Sequence, residues 1–195
     1  WSWHLWVTNF DPKLENNQKV VNGVTFMNRD LGAISNKKGN IKTMGLLYQW
    51  GRKDPFSGSA SCTNAKEKDH FTIDNIKIRT PLEFHIVNED VNLKNSILNP
   101  ATFYTGERDG YSNSSSTPNG YLWKEKDGKK GIYDPCPEGW HVPDQTVWSS
   151  LSNRSIVSEL GEGFEWEDFG YYAASGRRGK NGTLEEIGKQ SFVWS

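Results

Sequence analysis

Few of the residues in this sequence that could do chemistry are spaced to do it. The two cysteines, Cys62 and Cys136, are too few for a disulfide scaffold and lack metal-ligand spacing. In an oxidising compartment they could pair across a long loop, adding roughly 4 kcal/mol in the chain-entropy model. The alternative is two unrelated thiols. His4, His70, His85 and His141 lie far apart with no His-Glu-x-x-His pattern, so each reads as an ordinary surface or core residue. No Gly-x-Ser-x-Gly elbow occurs. Gly161-Glu162-Gly163 lacks the third glycine and the preceding strand of a nucleotide fingerprint. Glu165, Glu167 and Asp168 cluster around Trp166. Paired carboxylates can hydrolyse glycosides, but nothing here sets their separation, and solvated loop charges are the better reading. No catalytic residue, cofactor or metal is expected.

The bulk numbers bound the classes that remain. A length of 195 residues suffices for one domain with a real core. Hydrophobic content is only 34%, but nine Trp, seven Tyr and nine Phe can build a core where aliphatics are scarce. That aromatic content argues for a folded chain, since disordered chains lack it. A net charge of −1 provides no field to recruit nucleic acid or anionic lipid. The basic patches at Lys37-Lys38, Lys124–Lys130 and Arg177-Arg178 are interleaved with Gly, Asn or acids and read as solvated loops. No apolar run is long enough to span a bilayer. Beginning at Trp1, the chain reads as a mature or excised piece of a longer exported protein.

The elements that must position any site are short. Trp1 to Val7 alternates as a half-buried strand. Val20 to Met27, broken by Asn22-Gly23, reads as a hairpin. Met44 to Trp50 carries apolar residues at helical spacing and stops at Gly51, predicting a short helix. Thr80 to Phe84 could start another. Thr105 to Gly120 is rich in Ser, Asn and Gly and reads as a surface loop. Tyr121-Leu122-Trp123 reads as a strand before a turn at Lys124–Gly131. Pro143 to Leu151 reads as a helix with Asp144 as N-cap and Val147, Trp148 and Leu151 on one face. Tyr171 to Gly176 and Ser191 to Trp194 read as closing strands. Strands, two short helices, then strands make an α+β plan.

Four segments stand out together: Phe26-Met27-Asn28-Arg29-Asp30-Leu31-Gly32-Ala33, Gly45 to Phe56, Tyr133-Asp134-Pro135-Cys136-Pro137-Glu138-Gly139-Trp140-His141-Val142-Pro143, and Ser191-Phe192-Val193-Trp194-Ser195. In this order they resemble the Fibrobacter-type major paralogous domain family, found at the C-termini of fimbrillin-like and lipoprotein surface proteins of gut Bacteroidales. The resemblance covers Trp3 to Ser195, and its third segment is the most specific. It implies a single C-type-lectin-like domain over 1–195, with a mixed antiparallel sheet, two short helices and long irregular loops, displayed outside the cell. The segments themselves read as architecture. Pro137 and Gly139 make a rigid bend that turns Trp140 and Trp148 to the core, and Arg29 is placed to pair with a carboxylate from another segment.

Within a lectin-like fold, the excursion between the second helix and the last strands is the exposed recognition face. Here that face offers Trp166, Glu167 and Asp168 with Arg177 and Arg178; Tyr111, in the Ser-rich loop, is a further candidate. Aromatic platforms beside amides and acids suit sugar stacking, although Trp166 could instead anchor its loop. The Glu-Pro-Asn or Gln-Pro-Asp and Trp-Asn-Asp triplets of calcium-dependent lectins are missing, so conventional calcium-held sugar binding is not expected. The partners expected are a glycan, a host surface protein or pilus subunits, with no nucleic acid. Two rival readings remain: a purely structural assembly subunit and, less favoured, a glycan-active hydrolase.

Overall fold

Asn22 and Gly23 close the first hairpin with φ of 51° and 78°, the double positive φ of a two-residue turn. The strands it joins, β1 (Gln18–Val21) and β2 (Val24–Met27), pair antiparallel from Val21↔Val24 out to Gln18↔Met27. The computed structural model describes residues 7–56, 70–71, 77–78, 84–86, 89–100, 102–105, 122–125, 127–149, 154–157, 163–166, 170–179 and 184–193. The expected first strand at Trp1 to Trp6 and the loop beyond Thr105 fall outside them.

Later elements follow in short pieces. Strands β3 (His70–Phe71) and β4 (Lys77–Ile78) form a small antiparallel pair. Strands β5 (Phe84–Ile86) and β6 (Phe103–Thr105) run parallel, with helix α1 (Glu89–Leu98) as their crossover. Helix α2 (Gln145–Ser149) precedes a three-stranded antiparallel meander of β7 (Arg154–Val157), β8 (Gly163–Trp166) and β9 (Gly170–Ala173). Strands β10 (Arg177–Arg178) and β11 (Leu184–Glu185) make a final antiparallel pair. Two short helices among several small, mainly antiparallel sheets make the chain α+β.

Three local expectations are corrected. Residues 44–50 are not a helix: the Leu46 amide donates to the Leu31 carbonyl, and Leu47 exchanges both backbone bonds with Phe56. Apolar side chains on both sides of an extended segment imitate helical spacing when both sides are covered. The helix in this part of the chain is α1, whose Ile97 and Leu98 are exposed and therefore show no clean apolar stripe. Leu122 and Trp123 are buried in a bend rather than a strand, and only Lys124 bridges Lys130 across the expected turn. Of the expected closing strand Ser191–Trp194, the described residues 191–193 show one parallel bridge, Gly176↔Ser191, and Trp194 lies outside them.

The core is aromatic, as the composition requires. Phe26 and Tyr172 pack together with Val21, Val147 and Trp148 around them. Tyr171 and Ala173, on the opposite face of β9, pack with Met44. Elsewhere Trp50 meets Trp123 at 4.7 Å between ring centroids, and Phe56 meets Phe103 edge-on at 5.4 Å.

Candidate functional site

Two polar pins shape the site. The first is Asp134, whose side chain is 1% exposed. Its Oδ1 accepts the Cys136 amide at 2.8 Å and the Lys130 ammonium at 2.7 Å, and its Oδ2 accepts the Val142 amide at 2.9 Å. One carboxylate thus ties both ends of the Pro-Cys-Pro bend, which Gly139 completes at φ 83°. The second is Arg52, also buried. Its guanidinium donates to the carbonyls of Thr102 and Pro100, each at 2.5 Å. Beside it, Gln49 exchanges two bonds with the Tyr104 backbone, acting as a one-residue strand partner.

Between these pins the 45–50 segment lines a partly open, mainly apolar cavity of about 730 Å³. Its lining includes Asp30 with the packed Phe26, Trp148 and Tyr172, and also the contacting pairs Trp50–Trp123 and Phe56–Arg178. Trp140, His141 and Cys136 from the bend also reach it. This volume lies within the range of small-ligand sites, roughly 300–1,000 Å³.

No family model, no curated protein and no solved structure matches this chain. Its chemistry is therefore read from the geometry alone.

Burial pushes the Asp30 carboxyl up to about 7. Tyr172, beside it, is raised by burial first and by the Asp30 charge second. Burial and then the Asp134 charge also raise the Cys136 thiol, so at neutral pH it is a protonated thiol rather than a nucleophile. Asp134 itself is fully engaged in holding the bend. Among the described residues, no group of three or more His, Cys, Asp or Glu could hold a metal ion, and no helix is long and apolar enough to cross a membrane.

The residues singled out from the sequence are distributed as follows. Arg177 and Arg178 both line the cavity. Arg177 pairs with Glu185 at 3.3 Å and lies 4.8 Å from the Phe192 ring centre. Arg178 sits 5.6 Å from the Phe56 ring centre, and burial lowers its pKa to about 10. Trp166 ends β8, paired with Arg154 and Gly170; its side chain, with Glu167, Asp168 and Tyr111, lies outside the described residues. Glu165, next to it, pairs with Lys38 at 3.1 Å. Cys136 carries a free thiol, and Cys62 lies outside the described residues. Arg29 corrects an expectation: it donates to Asn28 Oδ1 and the Ile34 carbonyl and covers the Phe10 ring at 4.0 Å, rather than pairing with a distant carboxylate.

Asp30 and Tyr172 are not among the site residues that the sequence suggests. For Tyr172 a signal existed: Tyr171-Tyr172-Ala173-Ala174 is an unbroken apolar run, the mark of a strand covered on both faces. Asp30 had no such signal, since its place beside Tyr172 is a contact across more than a hundred residues.

Proposed function

We propose that the chain is a non-catalytic, cell-surface binding module of C-type-lectin-like architecture, the tip or distal domain of a fimbrial or lipoprotein assembly, and that it recognises a glycan. The observation that carries this reading is the aromatic cavity lined by Trp148, Trp123, Trp50 and Trp140, with a small number of charged groups on mainly apolar walls. Aromatic faces suit the C–H faces of sugars, while isolated polar groups fix orientation. The inert state of the Cys136 thiol and the structural engagement of Asp134 favour binding over catalysis. A glycan array probed with the whole chain tests the proposal: selective binding to a related set of glycans is expected, and failure to bind any of them removes the glycan reading.

A second reading, an assembly subunit without a soluble ligand, draws on the β1–β2 hairpin. Its strands pair only with each other among the described residues, and Val20 is 65% exposed. The outer edge of β1, which no described strand pairs, lies beside the exposed Val20 and suits addition of a strand from a neighbouring subunit. Concentration-dependent association of the chain that Val20→Lys abolishes would favour this reading over the first.

A further inference from the structure

We propose that Asp30 and Trp148, which lie beside Tyr172 in the cavity lining, form the subsite for a neutral saccharide residue carrying vicinal hydroxyls. This rests on the glycan reading above and adds the place and the ligand class. Asp30 lines the cavity, and its carboxyl has no hydrogen bond or ion pair to any described residue. Its neighbours are committed elsewhere. The Tyr172 hydroxyl donates its one proton to the Met27 carbonyl at 2.9 Å, so that proton is not available to Asp30. The Arg29 guanidinium is held by Asn28, Ile34 and Phe10. Asp144, just before α2 and also in the cavity lining, is paired with Lys124. A carboxyl enclosed by apolar walls without donors gains most from donors that a ligand brings, and two adjacent hydroxyls match its two oxygens.

The charges around the cavity select against charged ligands. Arg29 and Arg178 oppose a cation, and Asp30, once ionised, opposes an anion, whereas Arg177 and Asp144 are already paired with Glu185 and Lys124. Trp148 supplies the apolar counterpart. It is half-buried, packs against Phe26 at 5.9 Å between ring centroids and faces the same cavity, which gives a pyranose ring a surface to cover.

Calorimetric titration of the whole chain tests the subsite, with mannotetraose and cellotetraose as neutral probes and a glucosamine tetramer and tetragalacturonate as charged ones. At least one neutral probe should bind. Asp30→Asn should weaken that binding less than Asp30→Ala, which should weaken it about tenfold or more. Trp148→Phe should weaken it severalfold, and Asp127→Asn, on an exposed turn, should leave it unchanged. Thermal unfolding of each variant confirms that it is folded, and the near-isosteric Asp30→Asn keeps the test open if Asp30→Ala is unstable. Equal affinity in the Asp30 and Trp148 variants overturns the subsite while leaving the glycan reading in place. Preference for a charged tetramer overturns the ligand class. Binding to no saccharide here or on the array overturns both proposals.

Discussion

The Tyr172 hydroxyl donates to the carbonyl of Met27 at 2.9 Å, joining β9 to the end of β2 across 145 positions of sequence. The same ring packs on Phe26, so one side chain links the first hairpin to the last meander through both an apolar and a polar contact. Tyr172→Phe keeps the ring and removes the bond, and should cost about 1 kcal/mol in urea unfolding. Tyr172→Ala should cost about 3–5 kcal/mol, because it also empties the centre of the cluster.

Asp134 should be the most sensitive carboxylate of the bend. Replacing it with Ala leaves the Cys136 and Val142 amides without their acceptor and the Lys130 ammonium with carbonyl partners but no carboxylate. A loss of about 3–5 kcal/mol is expected. Asp134→Asn, which retains one acceptor oxygen, should cost less. Denaturant midpoints of the two variants check the order.

Asp30 should make stability depend on pH in an unusual direction. Its folded pKa, near 7, lies above that of the unfolded chain, near 4, so the folded state holds a proton that the unfolded state releases between those values. Its contribution is fully present below about pH 4 and is lost as pH rises to about 7. The gap in urea midpoint between the wild type and Asp30→Asn should therefore shift against the wild type from pH 5 to pH 8. A gap that stays constant would rule out the shifted carboxyl.

Two glycines with positive φ should respond differently to a methyl group. A Cβ on Gly176, at φ 67°, would lie 2.4 Å from the Glu185 carbonyl oxygen, a backbone atom that cannot swing aside. Gly176→Ala should cost about 3 kcal/mol or more. Gly23, at φ 78°, faces open space, and its Ala variant should cost only about 1–2 kcal/mol for the backbone. Thermal melts of both variants separate the two cases.

Arg52→Lys keeps the charge but loses the planar fork that reaches Thr102 and Pro100 together. About 2 kcal/mol of stability should be lost in the same unfolding assay.

What could be read from the sequence was what is local. Asn22-Gly23 specifies its turn because the required φ values belong to those two residues alone. Gly139 bends the chain after Pro137 for the same reason, and Val147 and Trp148 of α2, the expected core-side residues, do pack on the Phe26–Tyr172 cluster. The aromatic count foretold an aromatic core. Residues 44–50 show where local pattern misleads: the same spacing of apolar residues serves a helix with one covered face or an extended segment covered on both. Only packing against Leu31 and Phe56 decides between them.

The sequence by itself therefore determined the turns, the α+β mixture of short elements and the reliance on aromatic burial, since each follows from the preferences of neighbouring residues. The tertiary structure alone decided that Asp30 lies beside Tyr172, that Asp134 gathers Lys130, Cys136 and Val142, and that Trp148 and Trp123 line one cavity. Those relationships depend on which distant segments the chain brings together, and a carboxyl acquires its pKa and its available oxygens only from the neighbours that folding provides.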